Sequence, residues 1–214
     1  MFITLEGIEG SGKTTQMPII VQFLKSKGHE VVMTREPGAT EIGQKIRSIL
    51  LDPENSTISP LCELLLYAAD RAQHLDHIVL PSLEAGKTVL CDRFADATTV
   101  YQGAARGIDP LLIKDIHAVV PGNLKPHLTF LFDLDPKTGL ARTFDALAHG
   151  ERGHKESRFE RESLDFHHRV RQGYLALARQ ERDRFVVVDA SLSRDEISGN
   201  IIAELEKFLF IQHL

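Results

Sequence analysis

The residues Gly7-Ile8-Glu9-Gly10-Ser11-Gly12-Lys13-Thr14 match the pattern G-x-x-x-x-G-K-[ST], and they constrain this 214-residue chain more than anything else in it. The run follows a short apolar segment, FITLE, and opens an amphipathic stretch, so it reads as strand, tight loop and helix. In such a loop the backbone N–H groups point inward and form a nest for oxyanions. The helix behind it adds the partial positive charge of its N-terminus. Glycines let the backbone approach the phosphates with no Cβ in the way. Lys13 is placed to reach the β- and γ-phosphates, and the Thr14 hydroxyl to ligate Mg²⁺, with Thr15 beside it in the first turn. The pattern implies a nucleoside triphosphate and leaves open what is done with it.

Beyond the loop, short apolar runs alternate with longer amphipathic stretches. Strands are expected over 2–6, 30–34, 88–92, 127–133 and 184–189. Helices are expected over 14–27, 40–51, 60–85, 110–120, 136–149, 159–182 and 194–210. Strand followed by helix, repeated, predicts a parallel sheet covered on both faces. Near-continuous apolar strands such as LTFLFDL fit burial on both sides. The expectation is an α/β P-loop NTPase fold: five parallel strands between helices, in one domain spanning 1–214. The stretch 149–162, HGERGHKESRFERE, is nearly all polar and reads as a mobile surface excursion between two helices.

The formal charge is −5, from 25 Lys and Arg against 30 Asp and Glu. A general nucleic-acid binder would be basic, so a polyanionic partner is disfavoured. A small phosphorylated ligand needs only local positive charge. Cys62 and Cys91 are far apart in apolar contexts and read as two reduced, buried thiols. No Cys/His spacing suggests a zinc site. The adjacent pair His167 and His168 reads as a helix surface pair. The N-terminus has no basic region or small-residue cleavage site, so no signal peptide is expected. No apolar run approaches the roughly 18 residues of a membrane span. The expected compartment is the cytoplasm.

A GTPase would carry an N/T-K-x-D motif to read its base, and none is present. A partitioning-type ATPase would carry a second lysine early in the loop, where this chain has Ile8. A small kinase with a second substrate close to the loop remains. Asp92 ends an apolar strand and is followed by Arg93. A carboxylate at the carboxyl end of a parallel strand beside the loop can hold Mg²⁺ or its water. The planar fork of Arg93 can clamp an acceptor phosphate.

At this point the sequence resembles the thymidylate kinase family over nearly its whole length. The resemblance is carried by LEGIEGSGKTTQ, by Thr34-Arg35-Glu36-Pro37-Gly38, and by Asp92-Arg93-Phe94. It is carried further by Tyr101-Gln102-Gly103 with Arg106-Gly107-Ile108-Asp109, and by Arg158-Phe159-Glu160-Arg161-Glu162-Ser163. It implies ATP and dTMP as substrates, Mg²⁺ as cofactor and a homodimer formed through helices beside the sheet. It implies that Glu9 lies near the 3′-hydroxyl of the acceptor sugar. Arg35 and Arg93 would contact the dTMP phosphate or the transferring group, and Glu36 and Pro37 would belong to the dTMP site. Tyr67 would stack on thymine, with Arg71, four residues on along one helix face, donating to a base carbonyl. Thr98 and Gln102 would touch the base or its water. Tyr101 would exclude a ribose hydroxyl by contact. The nearest alternative is another nucleoside monophosphate kinase or a deoxynucleoside kinase.

The resemblance also implies a lid over ATP, at about 149–162. One subgroup puts a catalytic arginine in the phosphate loop, and another puts its basic residues in the lid. Here Gly10 stands in the loop where the first subgroup has arginine, while the lid carries Arg152, Lys155 and Arg158. Arg142, one helix earlier, is a further candidate nucleotide contact. The chain departs from the family's pattern at Ala39, Phe94, Ala104-Ala105 and Tyr67, all conservative in size.

Overall fold

In a computed structural model that describes residues 1–120, 124–149 and 156–212, five strands form one sheet. They are β1 (Phe2–Gly7), β2 (Val31–Arg35), β3 (Thr88–Asp92), β4 (Leu128–Asp133) and β5 (Phe185–Asp189), in the spatial order β2-β3-β1-β4-β5. Every pairing is parallel. The central strands β1, β3 and β4 are buried almost throughout, which is why they read as unbroken apolar runs.

The helices are α1 (Lys13–Ser26), α2 (Glu41–Leu51), α3 (Pro60–His74), α4 (Leu80–Glu84), α5 (Ala95–Thr98), α6 (Pro110–Val119), α7 (Pro136–Ala148), α8 (Leu164–Gln180) and α9 (Arg194–Gln212). Side chains of Thr40, Ser59, Asp109, Asp135 and Ser163 accept from backbone N–H groups in the first turns of α2, α3, α6, α7 and α8. From β1 the chain crosses to β2 on one side, and all later crossovers run the other way. Right-handed crossovers therefore put α1 on one face, where α9 packs against it, and α8 on the opposite face against β4 and β5.

Three stretches differ from the expected elements. The helix expected over 60–85 is α3 and α4 joined by a π-helical segment, Leu75–Val79. The wide turn sits immediately ahead of Pro81, whose ring and missing N–H would break an ordinary α-helix there. The helix expected over 159–182 is split: a 3₁₀ turn, Phe159–Arg161, ends at Glu162, and Ser163 caps α8 as a new start. Residues 95–105, expected to be irregular, form α5 continued by a π-helical segment, Thr99–Ala105. Cys62 is exposed at the start of α3, not buried, while Cys91 is buried in β3; both are free thiols. His167 is buried in α8 rather than on the surface. No helix among the described residues is long and apolar enough to cross a membrane.

Candidate active site

The loop between β1 and α1 is shaped by glycines, with Gly7, Gly10 and Gly12 at φ 137°, 70° and 91°. At Gly10 a Cβ would stand 2.1 Å from the carbonyl oxygen of Gly139 in α7, so an arginine does not fit there without displacing backbone. Ile8 is buried against the same helix. Ser11 Oγ donates to the Ile8 carbonyl at 2.8 Å. Lys13 Nζ donates to the carbonyls of Gly7 and Ile8 at 3.0 and 2.9 Å, and to Ser11 Oγ at 3.2 Å. Burial and the neighbouring Arg93 bring its pKa down to about 8, against the support of Asp92, Glu9 and Glu6. The Thr14 hydroxyl donates to Asp92 Oδ2 at 3.5 Å, and Asp92 Oδ1 is buried without a hydrogen-bond partner. Thr15 is exposed in the first turn of α1. Arg142 Nη1 donates to the carbonyls of Ala190, at 3.2 Å, and Gly10, at 3.5 Å, so it bridges the phosphate loop and the turn after β5.

The carboxyl ends of β2 and β3 supply the facing wall. Arg93 follows β3 at φ 69°, and its backbone N–H is bonded to the Leu5 carbonyl. Its guanidinium donates to Glu9 Oε1 at 2.8 Å and to the Tyr174 hydroxyl at 3.3 Å, and lies 4.9 Å from the centre of the Tyr101 ring. Tyr101 also donates to Glu9 Oε1, at 2.7 Å. Burial alone would raise the Glu9 pKa, but Arg93, His167 and Lys13 hold its carboxyl well below the usual range. Beneath them Glu6 is fully buried, accepting from the Phe94 N–H and the Tyr174 hydroxyl. Burial and Asp96 push its pKa up to about 8.

Arg71 is fixed from three sides. Its Nε donates to Glu36 Oε2 at 2.8 Å, and its Nη2 to Thr98 Oγ1 at 2.9 Å and the Phe94 carbonyl at 3.2 Å. Its Nη1 is buried and has no partner. Glu36 is held in turn by His74 Nδ1 at 2.8 Å. Phe94 is fully buried, with its ring edge-on to Phe2. Ala39 needs no positive φ, so the missing second glycine costs the backbone nothing there. Gln102 Nε2 donates to Glu63 Oε1 at 2.9 Å.

These groups meet in a cleft of about 980 Å³. From the phosphate-loop side it is lined by Glu9, Gly10, Lys13, Thr14 and Asp92. From the other it is lined by Arg35, Glu36, Pro37, Tyr67, Arg71, Arg93, Thr98, Tyr101 and Gln102. Arg35 is exposed in it, with no ion pair among the described residues. Arg142 and Arg158 are not among the lining residues. Arg158 is buried: it donates to Glu63 Oε2 at 2.7 Å and to the Leu50 carbonyl, and stacks on Phe159. Arg152 and Lys155 lie outside the described residues. Glu6 and Tyr174 were not singled out by sequence reasoning, and His167 was read there only as part of a surface pair. Glu6 alone left a signal there, as a lone carboxylate inside an apolar strand.

A family model described as thymidylate kinase matches residues 5–201. The chain belongs to the thymidylate kinase family. It is 64% identical over 211 residues to a thymidylate kinase of Desulforapulum autotrophicum, covering 99% of this chain and 93% of that one. It is 57% identical over 207 residues to a thymidylate kinase of Desulfosudis oleivorans, covering 97% of each. Its fold is similar to the crystal structure of thymidylate kinase from Ehrlichia chaffeensis. The TM-score is 0.74 at 33% identity, over 96% of this chain and 98% of that one. The P-loop NTPase fold expected from the sequence is thus the fold of a thymidylate kinase.

Proposed function

We infer that the two walls of the cleft hold the two nucleotides of one reaction, the ATP-dependent phosphorylation of dTMP to dTDP that membership of the thymidylate kinase family assigns to this chain. One observation carries the division of labour. Two phosphate-handling sets face each other in a single cleft: Lys13, Thr14 and Asp92 on one side, Arg35 and Arg93 on the other. An oxygen of the dTMP phosphate attacks the γ-phosphorus in line, the bond to the β–γ bridging oxygen breaks, and ADP leaves. No protein nucleophile is required, because positioning and electrostatics lower the barrier.

The side chains have the following roles. The nest of residues 7–14, with Lys13, binds the triphosphate, and Arg142 fixes the loop beneath the nucleotide. Arg35 and Arg93 bind the acceptor phosphate, with Glu36 and Pro37 shaping the turn that presents Arg35. Tyr67 stacks on thymine. The unpartnered Nη1 of Arg71 donates to a base carbonyl, while Thr98 and Gln102 border the base edge. Glu9 accepts from the 3′-hydroxyl, and Tyr101 fills the space that a 2′-hydroxyl would need.

Family members act with ATP and a divalent metal, and Mg²⁺ is the ion proposed here. The Thr14 hydroxyl and the orphaned Asp92 Oδ1 fit a cation that takes its remaining ligands from phosphate and water. When bound, Mg²⁺ neutralises charge on the β- and γ-phosphates. Residues 149–162 are the proposed lid of a single domain. The lid's described end is rooted by Glu156 on Arg47, by Arg158 on Glu63 and by Glu162 on Arg106. Arg152 and Lys155 are the proposed cations for the transferring group, and Arg158 would have to leave Glu63 to join them.

We place the enzyme in the cytoplasm as a homodimer. Ile42, Ile49, Leu61 and Leu65 are exposed on the adjacent helices α2 and α3, which fits a self-complementary apolar face. A coupled ADP-release assay across a panel of monophosphates and nucleosides tests the acceptor. dTMP should lead the panel, with dTDP as product. A better nucleoside acceptor would move the assignment to deoxynucleoside kinases.

A further inference from the structure

The two oxygens of Glu9 have unlike surroundings. Oε1 accepts from both Tyr101 and Arg93. Oε2 is buried and accepts no hydrogen bond, yet His167 Nδ1 lies 3.6 Å from it. His167 itself is 1% exposed, and its Nε2 also lacks a partner. Buried polar atoms without partners are costly and rare in native folds, so two orphans on one pair of touching side chains call for a role. At 3.6 Å the imidazole is a wall and a polar neighbour rather than a tight donor. That distance leaves the acceptor capacity of Oε2 to an incoming hydroxyl.

The imidazole is firmly backed. Phe166 packs edge-on to it at 5.6 Å between ring centres. Helix α8 sits so close to the Thr99–Ala105 segment that a Cβ at Gly173 would stand 2.9 Å from Ala104 Cβ. Phe166 and Tyr174, on the same helix, both pack on Tyr101. With Oε1 tethered by two donors, the remaining freedom of the carboxylate is a swing of Oε2, and the Nδ1 edge of His167, which is not among the residues lining the cleft, is the polar group beside Oε2 that opposes that swing.

We propose that His167 is a positioning residue for Glu9: the polar Nδ1 edge of its ring holds Oε2 in the orientation from which the carboxylate reads the 3′-hydroxyl of dTMP. This rests on the assignment of Glu9 to the sugar. The test compares dTMP with 3′-deoxythymidine monophosphate, which lacks that hydroxyl, in steady-state kinetics of the wild type, His167→Phe, His167→Leu and His167→Asn. Thermal unfolding of each variant selects the apolar variant that stays folded. The wild type should prefer dTMP. In the apolar variant that preference should fall roughly five- to tenfold, through KM for dTMP, with kcat and the KM of the 3′-deoxy analogue little changed. His167→Asn, which keeps an N–H near the position of Nδ1, should retain most of it. A parallel loss for both acceptors would mark His167 as a packing residue and overturn the proposal, as would an undiminished preference. A wild type indifferent to the hydroxyl would instead remove Glu9 from the sugar, and the proposal with it.

Discussion

Among the described residues Arg93 is the one other than glycine with a positive φ, and its turn sends the guanidinium back over the phosphate loop. The strand-end position of Arg93 was legible in the sequence, but the turn was not, because nothing in D-R-F announces a left-handed arginine. The place of Lys13 inside the loop was legible, since it follows from the loop pattern. Lys13→Met should lower kcat by at least about a thousandfold, measured by ADP release, if the lysine stabilises charge as arginine does at such sites. Because burial brings the Lys13 pKa down to about 8, its charge is complete below that value and lost above it. The kcat/KM for ATP, which reports the free enzyme, should therefore fall as pH rises through about 8. Tyr101→Phe removes one of two donors to Glu9 Oε1 and should lower kcat/KM for dTMP roughly tenfold, given about 1.5–3 kcal/mol for a hydrogen bond to a charged group. Tyr101→Ala should narrow the gap between dTMP and its ribo counterpart, read as a ratio of kcat/KM values.

At the level of elements, the strands were readable to within one residue at each end because buried parallel strands are short and uniformly apolar. Helices α1, α2, α6 and α7 were equally readable. The segment that brings Thr98, Tyr101 and Gln102 to the cleft was not. Residues 95–105 form two short, irregular helical pieces whose order comes from α8 packing against them, a tertiary effect that local periodicity does not record. The stretch 149–162, expected to act as a lid, shows a similar limit. Its arginines and lysine suggested free cations, yet Arg158 is drawn inward by Glu63, a carboxylate almost a hundred residues away in sequence. Gly173 is the point on which this packing turns. Gly173→Ala puts a methyl group 2.9 Å from Ala104 Cβ, and overpacking of this kind costs about 1–3 kcal/mol. The variant should melt several degrees lower, and KM for dTMP should rise, since Tyr101 and Gln102 move with the displaced segment.

For the molecule as a whole, two buried carboxyls set a pH dependence. Burial, aided by Asp96 at Glu6 and Glu36 at Asp70, pushes these pKa values up to about 8 and about 6. A carboxyl whose pKa is raised by folding costs stability once it must ionise. The cost grows from the unfolded pKa to the folded one and is complete above it. The melting temperature should therefore fall between pH 6 and pH 8.5, and Glu6→Gln should flatten that fall in calorimetry. Leu65→Glu, on the apolar face of α3, should convert a dimer to a monomer in light scattering, without altering any group in the cleft. Glu63 ties these scales together. A single carboxylate, sealed from water, grips Gln102 in the cleft wall, Arg106 behind it and Arg158 at the end of the stretch proposed as the lid. A hand on the proposed acceptor site and a hinge for the proposed cover of the donor thus share one knuckle. Trimming that knuckle, which is not among the residues lining the cleft, should loosen recognition of both substrates at once.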